Sequence, residues 1–234
     1  MYLFVLLSTI HAMTPSKGVV QIWVDKQQIR SVSLGRLSEE YSIPLYFQLP
    51  MAREWGTGIS LSSDMILTNY HVVQGAKALG VQTPTSEIVS AQIVQVLPDL
   101  DLAWIQLEEN LGLEVWTSEM DISLDDRIWT GGFASKLEWS EKEALLKDIG
   151  RIDILLDEKQ HFMVIDQVVD TGYSGGPVWN QEQKLVGMMT ATNSEKQESY
   201  FISMKEVAAA WDKSQERETI SWGDLGIEVS GERI

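Results

Sequence analysis

Apolar residues recur along this chain in short runs, separated by polar turns rich in Ser, Asp and Asn. Runs of this length predict β-strands, and their arrangement does not follow the strand-helix exchange of βαβ units. The expected strands span 19–24, 56–61, 65–68, 88–97, 102–107, 127–130, 149–156, 162–169, 178–179, 185–189 and 200–202. Many short strands with turns between them favour an all-β barrel or sandwich. The strand at 102–107 is mostly apolar and is therefore expected to be buried.

Other segments deviate from this simple strand pattern. Residues 31–54 lack clear periodicity and contain two prolines, so they are expected to form a long loop or a hairpin. Ser203 and Glu206 form a capping-box pair before an apolar stretch that ends at Trp211, which predicts a short helix. A similar signature at 140–146 predicts a helix there, with a loop as the alternative.

Composition supports a well-filled core and narrows the range of partners. Apolar residues make up 44% of the 234 residues, and nine Trp and six Tyr favour strands over disorder. The formal net charge is −16 and no run of Lys or Arg occurs, so a nucleic-acid partner is not expected. The same charge opposes binding to anionic lipid surfaces and is typical of a well-solvated surface.

Cysteine and histidine usage excludes several kinds of site. The chain has no Cys, so it has no disulfide, thiol nucleophile or thiolate metal site. Its three histidines, His11, His71 and His161, are scattered and lack the spacing of a zinc hydrolase. We therefore expect neither a metal nor another cofactor.

The most specific motif is the string GYSGGP at 172–177. Its glycines allow a tight turn that exposes the hydroxyl of Ser174 and directs backbone N–H groups at one point. A bare Gly-x-Ser-Gly string is more often a surface turn, whereas this longer string runs directly into the apolar pair at 178–179. It predicts a nucleophilic serine.

A nucleophilic serine needs a general base, and the base needs a carboxylate that orients it. His71 follows an apolar strand in the string TNYHVV, and Asp101 opens the strand DLAWI. Each residue alone is more often structural, but His, Asp and Ser in this order, each at a strand or turn edge, are hard to obtain by chance. Asp99 is the competing carboxylate and is interpreted as a solvated loop residue.

These strings resemble the chymotrypsin superfamily and, within it, the HtrA/Deg branch of serine proteases. TNYHVV resembles the histidine motif of that branch, DLA its aspartate motif and GYSGG its serine motif. The separations, 30 residues from His71 to Asp101 and 73 from Asp101 to Ser174, are also similar. Asp166 matches an acidic position common in the branch. The likeness covers about 19–213, most of the chain.

The resemblance implies a fold of two six-stranded antiparallel β-barrels of chymotrypsin type with a short C-terminal helix. It also implies a serine endopeptidase that forms an acyl-enzyme, with Ser174 as nucleophile, His71 as base and Asp101 as the orienting carboxylate. Gly172, Tyr173 and Ser174 form the expected oxyanion hole, in which the N–H groups of the first and last are the donors. Members of the branch often rest with this hole unassembled and switch on when a ligand binds.

Tyr173 departs from the family pattern. Digestive members carry Asp just before the nucleophile, where it pairs with a newly cut N-terminus, and HtrA-like enzymes usually carry Asn there. Because Tyr cannot form that ion pair, we expect no activation by N-terminal cleavage of that kind.

The specificity pocket is expected to be apolar. Val168, six residues before Ser174, is where the base of the S1 pocket should lie, and Met189 and Thr190 are expected to form a nearby wall. Without an acidic residue at the base, small to medium aliphatic side chains are the expected preference before the cut. The alternative is that these three residues are ordinary core.

The ends of the chain carry separate expectations. Residues 1–18 are expected to be an N-terminal arm or the remnant of a signal peptide, because their apolar run is too short to span a bilayer. The trypsin-like protease domain is expected at 19–214, and the tail at 215–234 resembles the start of the PDZ domain that follows HtrA proteases. The resemblance further implies unfolded or misfolded proteins and peptides as substrates, a homotrimer, and a bacterial envelope or periplasmic location, with the cytoplasm as the alternative.

Two other functions fit parts of the sequence. A catalytically silent protease fold that holds peptides by strand addition is favoured by Tyr173 and by the unusual stretch 134–148. A non-protease esterase is the weaker alternative, because the α/β-hydrolase order is Ser, Asp, His, which is the reverse of the order here.

Overall fold

A computed structural model describes residues 18–26, 29–34, 43–48, 52–83, 87–134, 138–153 and 157–216. The predicted N-terminal arm up to residue 17 and the PDZ-like tail from residue 217 lie outside the described residues. The strands are β1 (Val19–Lys26), β2 (Ile29–Leu34), β3 (Ile43–Gln48), β4 (Ala52–Ser60), β5 (Met65–Thr68), β6 (Ala76–Gln82), β7 (Val89–Leu97), β8 (Leu102–Leu107), β9 (Arg127–Phe133), β10 (Trp139–Asp153), β11 (Asp157–Ile165), β12 (Pro177–Asn180), β13 (Leu185–Asn193) and β14 (Glu198–Ser203). The helices are α1 (Tyr70–Val73) and α2 (Met204–Glu216), and 3-10 turns span Pro98–Leu100 and Thr171–Tyr173.

Twelve of these strands close into two antiparallel barrels. The first barrel has the order β1-β4-β5-β8-β7-β6, and the second has the order β10-β11-β14-β13-β12-β9. The strands β2 and β3 pair with each other in a separate antiparallel hairpin. The predicted fold class, two six-stranded barrels followed by a short helix, is confirmed.

The strand β8 shows how one apolar segment serves two cores. Successive side chains of a strand point to opposite faces, so alternate residues enter different environments. Ala103 and Ile105 pack inside the first barrel, whereas Leu102 and Trp104 belong to a cluster between the barrels. This explains why the segment is mostly apolar, and its predicted burial is confirmed for every residue except the exposed Gln106.

The cluster between the barrels fixes their relative position. It draws on both barrels and on α2, and its buried members are Ile59, Leu67, Leu102, Trp104, Phe162, Val164, Leu185, Met188, Tyr200, Ile202, Met204, Val207 and Ala210. The ring of Trp211 on α2 lies 5.0 Å from that of Trp104. The C-terminal helix therefore seals the junction of the two barrels on one side.

The C-terminal helix begins as its sequence predicts. The Ser203 hydroxyl accepts a hydrogen bond from the Glu206 backbone N–H at 3.2 Å, which satisfies one of the free donors of the first turn. Neither helix in the described part of the chain has the length and apolar character needed to cross a bilayer.

The prediction of a helix or loop at 140–146 is wrong, because this stretch is part of β10. Trp139 to Leu145 pair with β9 in a continuous antiparallel register. Ala144 and Leu146 are buried and alternate with the exposed Glu143, which is the period of a strand. Tertiary pairing thus overrides a local capping signature. The hairpin alternative for 31–54 is confirmed by β2 and β3, while β6 was not predicted.

Truncation of Trp104, which is 1% exposed, is expected to be costly. Trp104→Ala should lower the free energy of unfolding by about 3–5 kcal/mol, because it leaves a cavity between the barrels. Urea denaturation followed by circular dichroism measures this change. The control Ile149→Ala, at a residue that is 42% exposed, should shift the stability by less than about 0.5 kcal/mol. Equal effects of the two changes would contradict the role of the inter-barrel cluster.

Candidate active site

His71 lies on the single helical turn α1, directly after β5. The next two residues, Val72 and Val73, are buried and anchor this turn against the first barrel. The imidazole is left outside the core, with a side-chain exposure of 46%. The short helix therefore presents His71 to the cleft between the barrels.

Asp101 follows a 3-10 turn and has a left-handed backbone, with φ of 51°. Its carbonyl accepts hydrogen bonds from the backbone N–H of Tyr70 and from the side-chain amide of Asn69, both at 3.1 Å. Its own N–H donates to the Pro98 carbonyl at 3.1 Å. These bonds hold a conformation that is uncommon for a residue with a side chain.

The carboxylate of Asp101 binds His71 twice. Its Oδ2 lies 2.7 Å from His71 Nδ1, and its Oδ1 accepts the His71 backbone N–H at 2.9 Å. Thr190 Oγ1 from the second barrel also donates to Oδ2, at 2.7 Å. A carboxylate at Nδ1 favours the tautomer that carries its proton there, which leaves Nε2 free to accept a proton. The competing Asp99 is exposed in the 3-10 turn that precedes Asp101.

Ser174 follows the 3-10 turn at Thr171–Tyr173 and enters the second barrel. Its carbonyl accepts the Thr57 backbone N–H from the first barrel at 2.9 Å. Its Oγ lies 3.5 Å from the Thr190 carbonyl. The next residue, Gly175, has a φ of 80°, and a Cβ there would lie 2.1 Å from the Thr57 carbonyl oxygen. Only glycine fits this close crossing of the two barrels.

The expected oxyanion donors sit in a closed turn. The Ser174 N–H donates to the Thr171 carbonyl at 3.3 Å, and the Tyr173 N–H donates to the Asp170 carbonyl at 3.0 Å. The Ser174 N–H is therefore engaged inside the turn. Gly172, the other expected donor, is buried in the same turn.

Thr57 joins the turn that carries the nucleophile, residues 171–174 (the nucleophile turn), to both barrels. This fully buried residue of β4 donates its hydroxyl to the Gly172 carbonyl at 2.7 Å. The same hydroxyl accepts the Phe133 N–H at the end of β9 at 3.0 Å. A Cβ on Gly172 would lie 1.7 Å from the Phe133 carbonyl oxygen, so this packing also requires glycine.

Tyr173 is fully buried beside the nucleophile. Its hydroxyl lies 2.6 Å from Ser140 Oγ on β10. Burial raises the pKa of the Tyr173 phenol, so the hydroxyl stays protonated and able to donate.

A cleft of about 520 Å³ opens between the barrels and contains both His71 and Ser174. The wall from the first barrel consists of Glu54, Trp55 and Val72, and the wall from the second barrel consists of Val169, Asp170, Thr171, Met189, Thr190, Ala191 and Thr192. Met189 and Thr190, two of the three residues predicted to bind substrate, are thus among the lining residues. Val168 is not among the lining residues, whereas its neighbour Val169 is one of them. The Val168 carbonyl instead accepts a hydrogen bond from Lys142 Nζ at 2.7 Å.

Several residues of the site were not predicted from the sequence. Asn69 is fully buried, and its side-chain amide donates to the Asp101 carbonyl and to Thr190 Oγ1, both at 3.1 Å. Thr190 lines the cleft, and its hydroxyl also binds the Asp101 carboxylate, a contact that was not predicted. Thr57 carries a local signal, because it stands between two glycines, but its partners lie far away in the sequence.

Comparison with known proteins identifies the family of this chain. The family model of the trypsin-like peptidase domain matches residues 56–188, which is more than half of the chain and includes His71, Asp101 and Ser174. The chain therefore belongs to the trypsin-like peptidase family. Its curated relatives are proteases of the HtrA/Deg type, so the resemblance seen in the sequence is confirmed.

A putative serine protease, HhoB of Synechocystis, is 29% identical over 161 residues, which are 63% of this chain and 37% of the relative. A probable periplasmic serine endoprotease, DegP-like, of Rickettsia conorii is 28% identical over 163 residues, which are 65% of this chain and 32% of the relative. The chain thus spans about a third of the length of these relatives.

Solved structures of the same fold include two proteases. The HtrA-type protease AlgW with tripeptide is 20% identical, with a TM-score of 0.69 over 86% of this chain and 61% of that chain. An inactive form of Rv3671c from Mycobacterium tuberculosis is 19% identical, with a TM-score of 0.64 over 88% of this chain and 90% of that chain. These likenesses agree with the two-barrel fold.

Loss of the Thr57 hydroxyl is expected to weaken the contact between the barrels and the nucleophile turn. Thr57→Val keeps the shape of the side chain but leaves the Gly172 carbonyl and the Phe133 N–H buried without a partner, at a cost of about 1–3 kcal/mol each. Thermal unfolding should show a clear drop in Tm for this variant. Thr57→Ser keeps the hydroxyl and should stay close to the wild type. A Tm that falls equally in both variants would show that the methyl group, not the hydroxyl, matters.

Proposed function

We propose that this chain is a serine endopeptidase that hydrolyses peptide bonds by acyl transfer. The single observation that supports this most strongly is the 2.7 Å contact between His71 Nδ1 and Asp101 Oδ2, because His71 lines the same cleft as Ser174. Membership of the trypsin-like peptidase family supports the same conclusion. His71 and Asp101 belong to the first barrel and Ser174 to the second, and the Ser174 hydroxyl lies 3.5 Å from the Thr190 carbonyl.

In the proposed reaction, Ser174 Oγ attacks the substrate carbonyl carbon while His71 Nε2 takes the hydroxyl proton. Asp101 stabilises the imidazolium that forms, and the Thr190 hydroxyl keeps the carboxylate in place. The tetrahedral intermediate then collapses, and His71 passes its proton to the leaving amine. Water, activated by the same base, attacks the acyl-enzyme and releases the acid and the free serine.

The nucleophile turn, which contains the expected oxyanion donors, has to open for this reaction. In the closed turn, the Ser174 N–H donates to the Thr171 carbonyl rather than to a ligand. We propose that a bound substrate displaces this carbonyl, after which the N–H groups of Gly172 and Ser174 stabilise the oxyanion. The closed turn then corresponds to a resting state of the enzyme.

The residues that line the cleft favour substrates with an apolar side chain immediately before the cleaved peptide bond. Its second-barrel wall contains Val169, Met189 and Ala191, and the carboxylate in this wall, Asp170, is half exposed and lies 3.9 Å from Lys142 Nζ. The other acidic residue among the described lining residues, Glu54, lies 2.8 Å from Lys26 Nζ, so both lining carboxylates already have a basic partner. Small to medium aliphatic side chains are the best fit.

We propose a role in protein quality control or regulated proteolysis within the bacterial envelope, and the names of the relatives support the envelope location. Several of them are named periplasmic serine endoproteases of the DegP or DegQ type. We propose unfolded or misfolded proteins as substrates, because an apolar pocket recognises side chains that are hidden in folded proteins.

A second candidate function is a peptide-binding module without turnover. It is favoured by one observation, the closed turn in which the Ser174 N–H is already used. It differs from the first candidate in that the turn would stay closed when a peptide binds.

Labelling by a fluorophosphonate probe distinguishes these functions. The wild type should be labelled and should cleave casein, and Ser174→Ala should lose both properties because the nucleophile is gone. Gel fluorescence and casein fragments measure the outcome. Absence of labelling in the wild type, even with added hydrophobic peptides, would contradict the endopeptidase and favour the binding module.

Peptide substrates that differ only in the residue before the cut test the pocket. Substrates with Val, Leu or Met there should have kcat/KM values at least about tenfold above those with Lys or Asp, because a charged side chain would be desolvated against the apolar wall. Fluorogenic peptides measure these ratios. Preferred cleavage after Lys would show that the pocket extends to an acidic group.

A further inference from the structure

Two residues of β10 contact the segment that precedes the nucleophile. Ser140 Oγ lies 2.6 Å from the Tyr173 hydroxyl, and Lys142 Nζ donates to the Val168 carbonyl at 2.7 Å. Lys142 Nζ also lies 5.9 Å from the centre of the Tyr173 ring and 3.9 Å from the Asp170 carboxylate. The contacts thus reach both ends of the segment 168–173.

The strand geometry of β10 makes these contacts possible. Residues two apart in a strand share a face, and Ser140 and Lys142 lie on the same face as the buried Ala144 and Leu146. This is the inner face of the second barrel, near the end of the strand where the core gives way to the nucleophile turn. In a helix, two residues this far apart would point in nearly opposite directions.

The paired strand β9 closes the other side of Tyr173. Gly132, which pairs with Ser140 across the two strands, lies so close that a Cβ there would be 2.5 Å from Tyr173 Cα. The tyrosine is therefore held between the backbone of β9 and the side chains of β10. Its position cannot change without moving this hairpin.

Tyr173 lies between the two expected oxyanion donors, Gly172 and Ser174. An anchored side chain at this position restricts the backbone of Tyr173, and with it the direction of the Ser174 N–H, which belongs to the peptide between the two residues. We propose that Ser140 and Lys142 are positioning residues that fix the conformation of the nucleophile turn. Ser140 acts through Tyr173, and Lys142 acts through Val168. This inference rests on the proposed function, because the turn matters for catalysis only if Ser174 is the nucleophile.

The test compares Tyr173→Phe, Ser140→Ala and the double variant with the wild type. Tyr173→Phe keeps the buried ring, and Ser140 is only partly buried, so all three variants should fold. Tyr200→Phe is the matched control, because it removes the hydroxyl of another buried tyrosine that lies in the cluster between the barrels. The readouts are the rate of fluorophosphonate labelling, kcat and KM for a fluorogenic peptide, and amide hydrogen exchange of fragments covering 168–176.

Each single variant should label roughly tenfold more slowly and lose a similar factor in kcat, with little change in KM, because an interaction that positions the oxyanion donors acts in the transition state. The double variant should be no slower than the singles, since all three lack the same hydrogen bond. Exchange in 168–176 should be faster in these variants and unchanged in Tyr200→Phe.

Unchanged labelling and unchanged exchange in Tyr173→Phe and Ser140→Ala, with an active wild type, would overturn the proposal. Losses that add in the double variant would also overturn it, because the two hydroxyls would then act separately. A wild type that is not labelled at all would instead reject the endopeptidase. The exchange measurement would still decide whether the contacts with β10 hold the turn.

Discussion

The whole site depends on one crossing, where β4 of the first barrel meets the nucleophile turn of the second. The Thr57 N–H binds the Ser174 carbonyl, and the Thr57 hydroxyl binds the Gly172 carbonyl. His71 and Asp101 belong to one barrel and Ser174 to the other, so their relative position is only as fixed as this crossing. Two hydrogen bonds from one fully buried residue give it little freedom, since a buried polar group that loses its partner is costly.

Apolar packing between the barrels also stabilises this crossing. The inter-barrel cluster places Leu67 of β5 and Trp104 of β8 against strands of the second barrel. Strand β5 leads into α1, which carries His71, and strand β8 begins directly after Asp101. The packing that joins the barrels therefore also sets the positions of His71 and Asp101. Thr190 then reaches back from the second barrel to the Asp101 carboxylate. Stability and the geometry of the site are consequences of the same contacts.

Strand positions and the residues of the proposed triad could be predicted from the sequence because both leave local signals. Apolar runs such as 102–107 indicate strands directly, and the strings around His71, Asp101 and Ser174 are short and specific. Strand β6 has no such signal, because 76–82 contains small and polar residues and is held by pairing with its neighbours.

The roles of Asn69 and Thr57 could not be predicted for a similar reason. Their partners, Thr190 and Gly172, lie more than a hundred residues away in the chain. The helix expected at 140–146 shows the opposite case, in which a local signal is present but long-range pairing with β9 decides the structure. Local patterns thus predict elements, whereas contacts between elements require the fold.

The closed turn fits a catalyst that is opened by its own substrate. The Ser174 N–H bond to the Thr171 carbonyl, at 3.3 Å, is longer than most backbone hydrogen bonds, and such a bond contributes a net stability of only about 0.5–1.5 kcal/mol. In the proposed reaction, the same N–H would bind an oxygen that carries developing negative charge, and hydrogen bonds to charged groups are roughly twice as strong as neutral ones. The exchange of one partner for the other therefore becomes favourable as the negative charge develops in the transition state. Because Thr57 and Tyr173 hold the rest of the turn, the rearrangement can stay confined to the peptide that carries the Thr171 carbonyl.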